Sequence, residues 1–335
     1  MSNSYVSPDV ASIMGLFDTY IRWQQKNKPP RKYIKYHPSE FGRCLRSIQY
    51  KTFADLGYIS VEPEEIPSDK QRLFDQGHNM HSRWSRYAES MEILRGTWRC
   101  MNPMCSFFDD NGNGPNNNWI SERRDNILLD HRTRRVYGKE ELKGIFRPER
   151  CICGSYDLKY EEVAVDSKEL NFEGHADMVL DFSKIKEENF KDIRKTFNIE
   201  TLPKTPIVVD MKTCNARSFD KLNTIGPNLV YRVQLLIYTY ILDVEYGLII
   251  YECKDDSRTA SFKIEKDENS WNVVKNQALI MKSLLEQKRL PPPRPSSKSD
   301  YECKNCAFQS VCHNSKVWQD TELENKRKDF YRHLL

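Results

Sequence analysis

The stretch Ile207-Val-Val-Asp-Met-Lys-Thr213 decides how the rest of the chain reads. Three β-branched apolar residues in succession form a buried strand. A carboxylate and an amine follow two positions apart, and residues i and i+2 of a strand share a face. Asp210 and Lys212 therefore leave the strand on one side, while Met211 turns to the core. A charged pair delivered to one face after an apolar run suits metal-assisted chemistry. The carboxylate holds a hard divalent ion, and the lysine orients water or stabilises charge as it develops. The plain alternative is an ion pair on an edge strand.

Three other segments bear on that choice. Phe172-Glu-Gly-His-Ala-Asp-Met-Val-Leu-Asp-Phe182 places Asp177 after Gly174 and just before an apolar strand. Two carboxylates on neighbouring strands can share one metal; a hairpin turn over Gly174 to Asp177 competes, because Asp is common in turns. In Phe74-Asp-Gln-Gly-His-Asn-Met-His81, Gly77 and His81 are four apart and share a helix face. His81 offers an imidazole ligand, with His78 on a different face as its competitor and a surface histidine as the plain alternative. In Val233-Gln-Leu-Leu-Ile-Tyr238, Gln234 and Tyr238 are also four apart. Gln234 is polar inside an apolar helix, and a buried amide without a partner costs roughly 1–3 kcal/mol. It either faces a site or makes a single hydrogen bond to backbone.

In order along the chain, Gly77-x-x-x-His81, Gly174-x-x-Asp177, Asp210-x-Lys212 and Gln234-x-x-x-Tyr238 resemble the motif set of the PD-(D/E)XK nucleases, in their RecB-like branch. The resemblance implies an α/β fold with a restriction-endonuclease-like core, a central mixed sheet flanked by helices. It implies hydrolysis of DNA phosphodiester bonds, as an exonuclease on single strands or ends. His81, Asp177, Asp210 and the backbone carbonyl of Met211 would hold Mg²⁺ or Mn²⁺. Lys212 would be the catalytic lysine, and Gln234 and Tyr238 the supporting helix motif. Met211 at the middle of Asp-x-Lys, and the lack of an acidic residue after His81 at helical spacing before Glu89, depart from the pattern and leave the number of metals open. The rival is a DNA-binding adaptor that kept the fold, lost catalysis and carries structural zinc.

The chain has ten cysteines. Cys303-Lys-Asn-Cys306-Ala-Phe-Gln-Ser-Val-Cys312 sets three thiols within reach of one metal centre. Cys44, in Ser39-Glu-Phe-Gly-Arg-Cys-Leu-Arg46, is the candidate fourth ligand. One N-terminal and three C-terminal cysteines bracketing the motifs are similar to the iron–sulfur nucleases, among them the CRISPR-associated RecB-like exonucleases and the AddB-type subunits. That resemblance implies a 4Fe–4S cluster tying the two ends of the fold together; zinc on the same thiols is the alternative. Cys100-x4-Cys105 and Cys151-x-Cys153 form two more close pairs, which suggest a structural Zn²⁺ closing a small module. Cys214 and Cys253 read as ordinary strand-end residues.

Composition sets the frame. Apolar residues make up 39% of 335, below the roughly 45–50% of an ordinary globular chain, so one core with polar insertions is expected. The net charge of +4, left from 52 basic and 48 acidic residues, decides nothing about nucleic acid. No run is long and apolar enough to span a membrane, and no secretory signal is visible, so an intracellular, cytoplasmic protein is expected, with thiols reduced. Four regions follow: residues 1–95, helical, with the first cluster cysteine and the motif histidine; 96–160, an inserted cysteine module around the Gly/Asn-rich loop at 111–118; 161–290, the core; and 291–335, a cysteine cluster and a tail helix. Helices are expected at 8–26, from Ser39 to about Ala54, from Lys70 to about Leu94, at 231–244 and at 268–287. Strands are expected at 170–182, 206–214, 247–253 and 259–264.

Basic residues cluster near the motifs: Lys28 to Lys35, Arg43 and Arg46 beside Cys44, and Arg83 and Arg86 beyond His81. They are candidates to neutralise DNA phosphates. Tyr33, Tyr36 and Trp84 are candidates to stack bases. For each alone, a solvated face or a core position is the plain alternative. Recombination, repair or replication proteins are the expected partners besides DNA.

Overall fold

A computed structural model describes residues 8–27, 34–60, 66–103, 105, 120–122, 127–130, 135–137, 144–151, 153–185, 201–294 and 298–313. Tyr33, the basic stretch 28–33, the Gly/Asn loop at 111–118 and the tail helix expected beyond 313 lie outside these residues. The N-terminal part is helical: α1 Pro8–Asn27, α2 Pro38–Phe41, α3 Leu45–Asp55 and α4 Ser68–Ser90. Strands follow as β1 Leu94–Cys100, β2 Ile120–Glu122, β3 Ile127–Asp130, β4 Arg135–Tyr137, β5 Ile145–Phe146, β6 Leu158–Glu161, β7 Val163–Ser167, β8 Phe172–Ala176 and β9 Met178–Leu180. Then come β10 Ile207–Cys214, α5 Ala216–Phe219, α6 Leu222–Ile225, α7 Leu229–Ile241, β11 Tyr246–Cys253, β12 Thr259–Glu265, α8 Glu268–Glu286, α9 Tyr301–Lys304 and α10 Gln309–His313.

The expected α/β class holds: a central mixed sheet flanked by helices. Its path runs β12-β11-β10-β9-β1-β4-β3-β2, with β5 and β6 also paired to β1, and β7-β8 forms a separate ribbon. Only β10 and β11 pair in parallel within this path. The apolar run that opens β10 explains its place. Ile207, Val209 and Met211 pack toward one buried cluster with Met80 of α4, and Val208 packs into another with Leu235 and Tyr238 of α7. A strand covered on both faces needs apolar residues at successive positions, and β10 has them.

Local expectations moved at several places. The helix expected from Ser39 to Ala54 is broken into α2 and α3, with His37 and Cys44 rather than Ser39 at the caps. The break falls at Gly42, where an added Cβ would stand 2.6 Å from Val230 Cα. The chain crosses the start of α7 there at backbone contact. The helix expected to reach Leu94 stops at Ser90, and the chain reverses through Glu92 at φ 57°. Leu94 instead starts β1, so the boundary at 95/96 falls inside a strand. β1 belongs to both parts: Leu94 and Arg95 pair with β9, while Thr97–Cys100 pair with β6. Segment 170–182 divides into β8 and β9, which pair with different partners. No helix among the described residues is long and apolar enough to cross a membrane.

Candidate active site

Each charged motif residue comes from a different element. Asp210 and Lys212 lie on β10, which has β9 on one side and β11 on the other, so the edge-strand reading fails. Asp210 is fully buried. Lys212 Nζ donates to Asp210 Oδ1 at 2.9 Å and to Gln234 Oε1 at 3.3 Å, and stands 4.5 Å from the Tyr231 ring centre. Gln234 on α7 is satisfied at both ends of its amide: Nε2 donates to Asp210 Oδ1 at 3.1 Å and to Tyr238 Oη at 3.1 Å. Tyr238 Oη in turn donates to the His175 carbonyl at 2.9 Å. The expectation that a polar residue in an apolar helix faces a site matches this placement.

Asp177 occupies the break between β8 and β9, not a hairpin turn. Its Oδ2 accepts from the Met211 amide at 2.7 Å, and its Oδ1 lies 3.5 Å from His81 Nδ1 on α4. Its carbonyl accepts from Tyr160 Oη at 3.0 Å. Gly174, three residues before it, lies where an added Cβ would stand 3.1 Å from Pro38 Cδ. His78 is exposed and takes no part in the cluster, and Gly77 has open space around it.

Glu162, which the sequence reading passed over, completes the group. Ligand atoms of His81, Glu162 and Asp177 all lie within 4.8 Å of one another. Glu162 sits at the step from β6 to β7, inside a charged run, and no motif marks it.

The electrostatics favour a cation. Burial pushes the Asp210 carboxyl up to about 7 in spite of Lys212, and the charge of Asp177 adds to the rise. Burial and the charge of Asp177 likewise push Glu162 up to about 7. Asp177 is opposed by burial too, but His81, Lys212 and the Met211 amide outweigh it and hold its carboxyl low. Burial opposes the His81 imidazolium, and Asp177 more than compensates, so its pKa is raised. Asp210 Oδ2 lies 2.9 Å from Lys212 Nζ yet accepts no well-directed hydrogen bond. Three carboxylates crowd one lysine and one imidazole, and one buried oxygen is poorly satisfied. A divalent ion with oxygen and imidazole ligands fits that donor set.

The helix carrying His81 is held by a residue far along the chain. Glu252 on β11 is buried and takes Arg83 as an ion-pair partner and Trp84 Nε1 at 2.7 Å. These two follow His81 on α4, so Glu252 fixes the helix against the sheet. Arg83 and Trp84, both partly exposed, therefore have partners inside the protein. Arg46 is buried and donates to the Pro291 carbonyl at 2.8 Å, so it cannot face a phosphate. Tyr36 is fully buried, with Oη donating to Gln49 Oε1, so it cannot stack on a base. Arg43 and Arg86 are exposed.

Cys44, Cys303, Cys306 and Cys312 line one cavity of about 660 Å³ between the α2–α3 break and α9–α10. Burial, with the charges of Cys44 and Cys312 adding to it, pushes the Cys303 thiol up to about 12. The Arg294 amide donates to Cys44 Sγ at 3.3 Å. The sulfurs of Cys100, Cys105, Cys151 and Cys153 all lie within 4.8 Å of one another, a group capable of binding metal. Cys214 and Cys253 are in register at the ends of β10 and β11, as strand-end residues.

No family model and no curated protein matches the chain. Among solved structures, the chain is similar to one described as the crystal structure of SSO0001, with 13% identity over 90% of this chain and 96% of that one and a TM-score of 0.39. It is also similar to an alkaline exonuclease, LHK-Exo, from Laribacter hongkongensis, with 14% identity over 38% of this chain and 57% of that one and a TM-score of 0.29.

Proposed function

We propose that this chain is a metal-dependent nuclease of the PD-(D/E)XK type that hydrolyses phosphodiester bonds in DNA. The observation that carries the reading is the meeting of His81 from α4, Glu162 from the β6–β7 step and Asp177 from the β8–β9 break, with Asp210 of β10, paired to Lys212, within the electrostatic influence of Asp177 and His81. His81, Glu162 and Asp177, with Asp210 and the Met211 carbonyl as further ligands by family resemblance, would hold a Mg²⁺ or Mn²⁺, which would supply Lewis-acid activation of water and of the scissile phosphate. The protein's own groups do the rest. Lys212 carries a positive charge at the site, and Asp210, Gln234 and the Tyr231 ring hold its ammonium in place. From there it donates to the attacking water or to the phosphoryl oxygen that gains charge. Tyr238 anchors Gln234 and, through the His175 carbonyl, the approach to Asp177.

Cys44, Cys303, Cys306 and Cys312 would hold an iron–sulfur cluster whose chemistry here is structural, tying the α2–α3 region to the C-terminal helices. Arg43 and Arg86, both exposed, would meet phosphates, and single strands or ends are the proposed substrate. The test is cleavage of end-labelled single-stranded and duplex DNA with Mn²⁺ or Mg²⁺. Products released progressively from ends, and abolished by a chelator, are expected. Wild-type protein that binds DNA but cuts neither form with either metal would overturn the reading in favour of an adaptor.

A further inference from the structure

Outside the catalytic group, a second close set of metal-ligating atoms among the described residues is at the far end of β1. Cys100 ends β1, and Cys105 follows on a short loop held by the Cys105 amide donating to the Asn102 carbonyl at 3.2 Å. Cys151 and Cys153 lie on a second loop, which begins just before β6. There the Cys151 amide donates to the Ser155 carbonyl and the Gly154 amide to the Cys151 carbonyl, both at 2.8 Å. Gly154 has φ +84°, a conformation that suits glycine. This turn brings Cys153 back over Cys151. β1–β6 pairing, with Cys100 opposite Leu158, and the Met101 amide donating to the Asp157 carbonyl at 2.9 Å, hold the two loops face to face.

All four sulfurs lie within 4.8 Å of one another, and Cys100 Sγ to Cys153 Sγ is 3.8 Å. That is the sulfur–sulfur edge of a tetrahedron with metal–sulfur bonds of about 2.3 Å. It is far longer than the roughly 2.05 Å of a disulfide. Cys100, Cys105 and Cys151 are almost wholly buried and pack with Trp98, Val136 and Leu158.

We infer that Cys100, Cys105, Cys151 and Cys153 bind one Zn²⁺ as a closed tetrathiolate site, separate from the catalytic metal and from the other cysteine set. On binding, four S–H bonds are exchanged for four Zn–S bonds, and four protons pass to solvent. With no open position the ion is structural. It clamps the two ends of segment 106–150 onto β1, whose opposite end pairs with β9 next to Asp177. The inference does not depend on the nuclease reading, because its readouts are metal content and ligand geometry.

The test uses full-length protein purified without oxygen, with zinc and iron counted per chain and zinc-edge X-ray absorption recorded. The wild type should carry zinc with four sulfur neighbours at about 2.3 Å. A Cys100→Ser/Cys153→Ser variant should lose one zinc per chain, and a Cys303→Ser/Cys306→Ser variant should keep it. Zinc-free wild type, iron in the place of zinc, nitrogen or oxygen neighbours at the edge, or zinc retained in the first variant would each overturn the inference. If the first variant does not fold, the second decides: one zinc bound by four sulfurs supports the site, and none removes it.

Discussion

Replacing Lys212 with Ala is expected to lower DNA cleavage about 10³-fold, the scale seen when one preorganised charge-stabilising donor is removed. The ammonium is held by Asp210, Gln234 and the Tyr231 ring, and nothing else in that network carries a positive charge to the reacting oxygens. Its removal leaves Asp210 Oδ1 with the Gln234 amide and relieves the carboxylates of a competing cation. Affinity for Mn²⁺ should therefore be kept or rise while the rate falls. Asp210→Asn behaves differently: near-identical in shape, it loses rate and Mn²⁺ affinity together. Initial rates at saturating Mn²⁺, set beside the affinities, separate the two roles. Equal loss of affinity in both variants would argue that Lys212 only supports folding.

The second large effect is expected at the cysteine cavity. Cys303→Ser should remove the visible absorbance and the iron of protein purified without oxygen. It should also lower the melting temperature by about 10 °C, from a few kcal/mol of lost cluster binding. Part of the junction does not need the cluster. Arg294 donates to the Gly42 carbonyl at 2.7 Å and pairs with Glu302 at 2.8 Å, and Glu302 accepts from the Cys44 amide at 2.7 Å. The variant should therefore fold, with its ends less firmly joined. Cys214→Ser, at a strand end away from this cavity, should leave colour and iron unchanged. A Cys303→Ser protein with full iron and an unaltered melting curve would remove the cluster assignment.

The legible parts of this molecule are those where a local period fixes the geometry. Asp210 and Lys212 share a face because strands alternate, and Gln234 and Tyr238 meet because helical residues four apart do. The apolar flanks of β10 reveal a strand covered on both faces. Glu162 was not legible, because its role comes from where β6 ends and β7 begins, and a Glu in a charged run carries no signal of that. The basic and aromatic residues near the motifs misled for a related reason. Arg46 and Tyr36 are the types that contact nucleic acid, but the same donors and rings also satisfy partners within a fold. Only packing tells that Arg46 meets the Pro291 carbonyl and Tyr36 meets Gln49. The double membership of β1 was hidden as well, since pairing with β9 and β6 depends on residues distant in sequence.

The most direct measurement is a calorimetric titration of Mn²⁺ into the wild type and into His81→Ala, Glu162→Gln and Asp177→Asn proteins. If an imidazole and separate carboxylates share one ion, each single change should weaken binding at that site by at least about 10-fold, with the folded state retained. Unchanged Mn²⁺ affinity in all three variants would contradict the account.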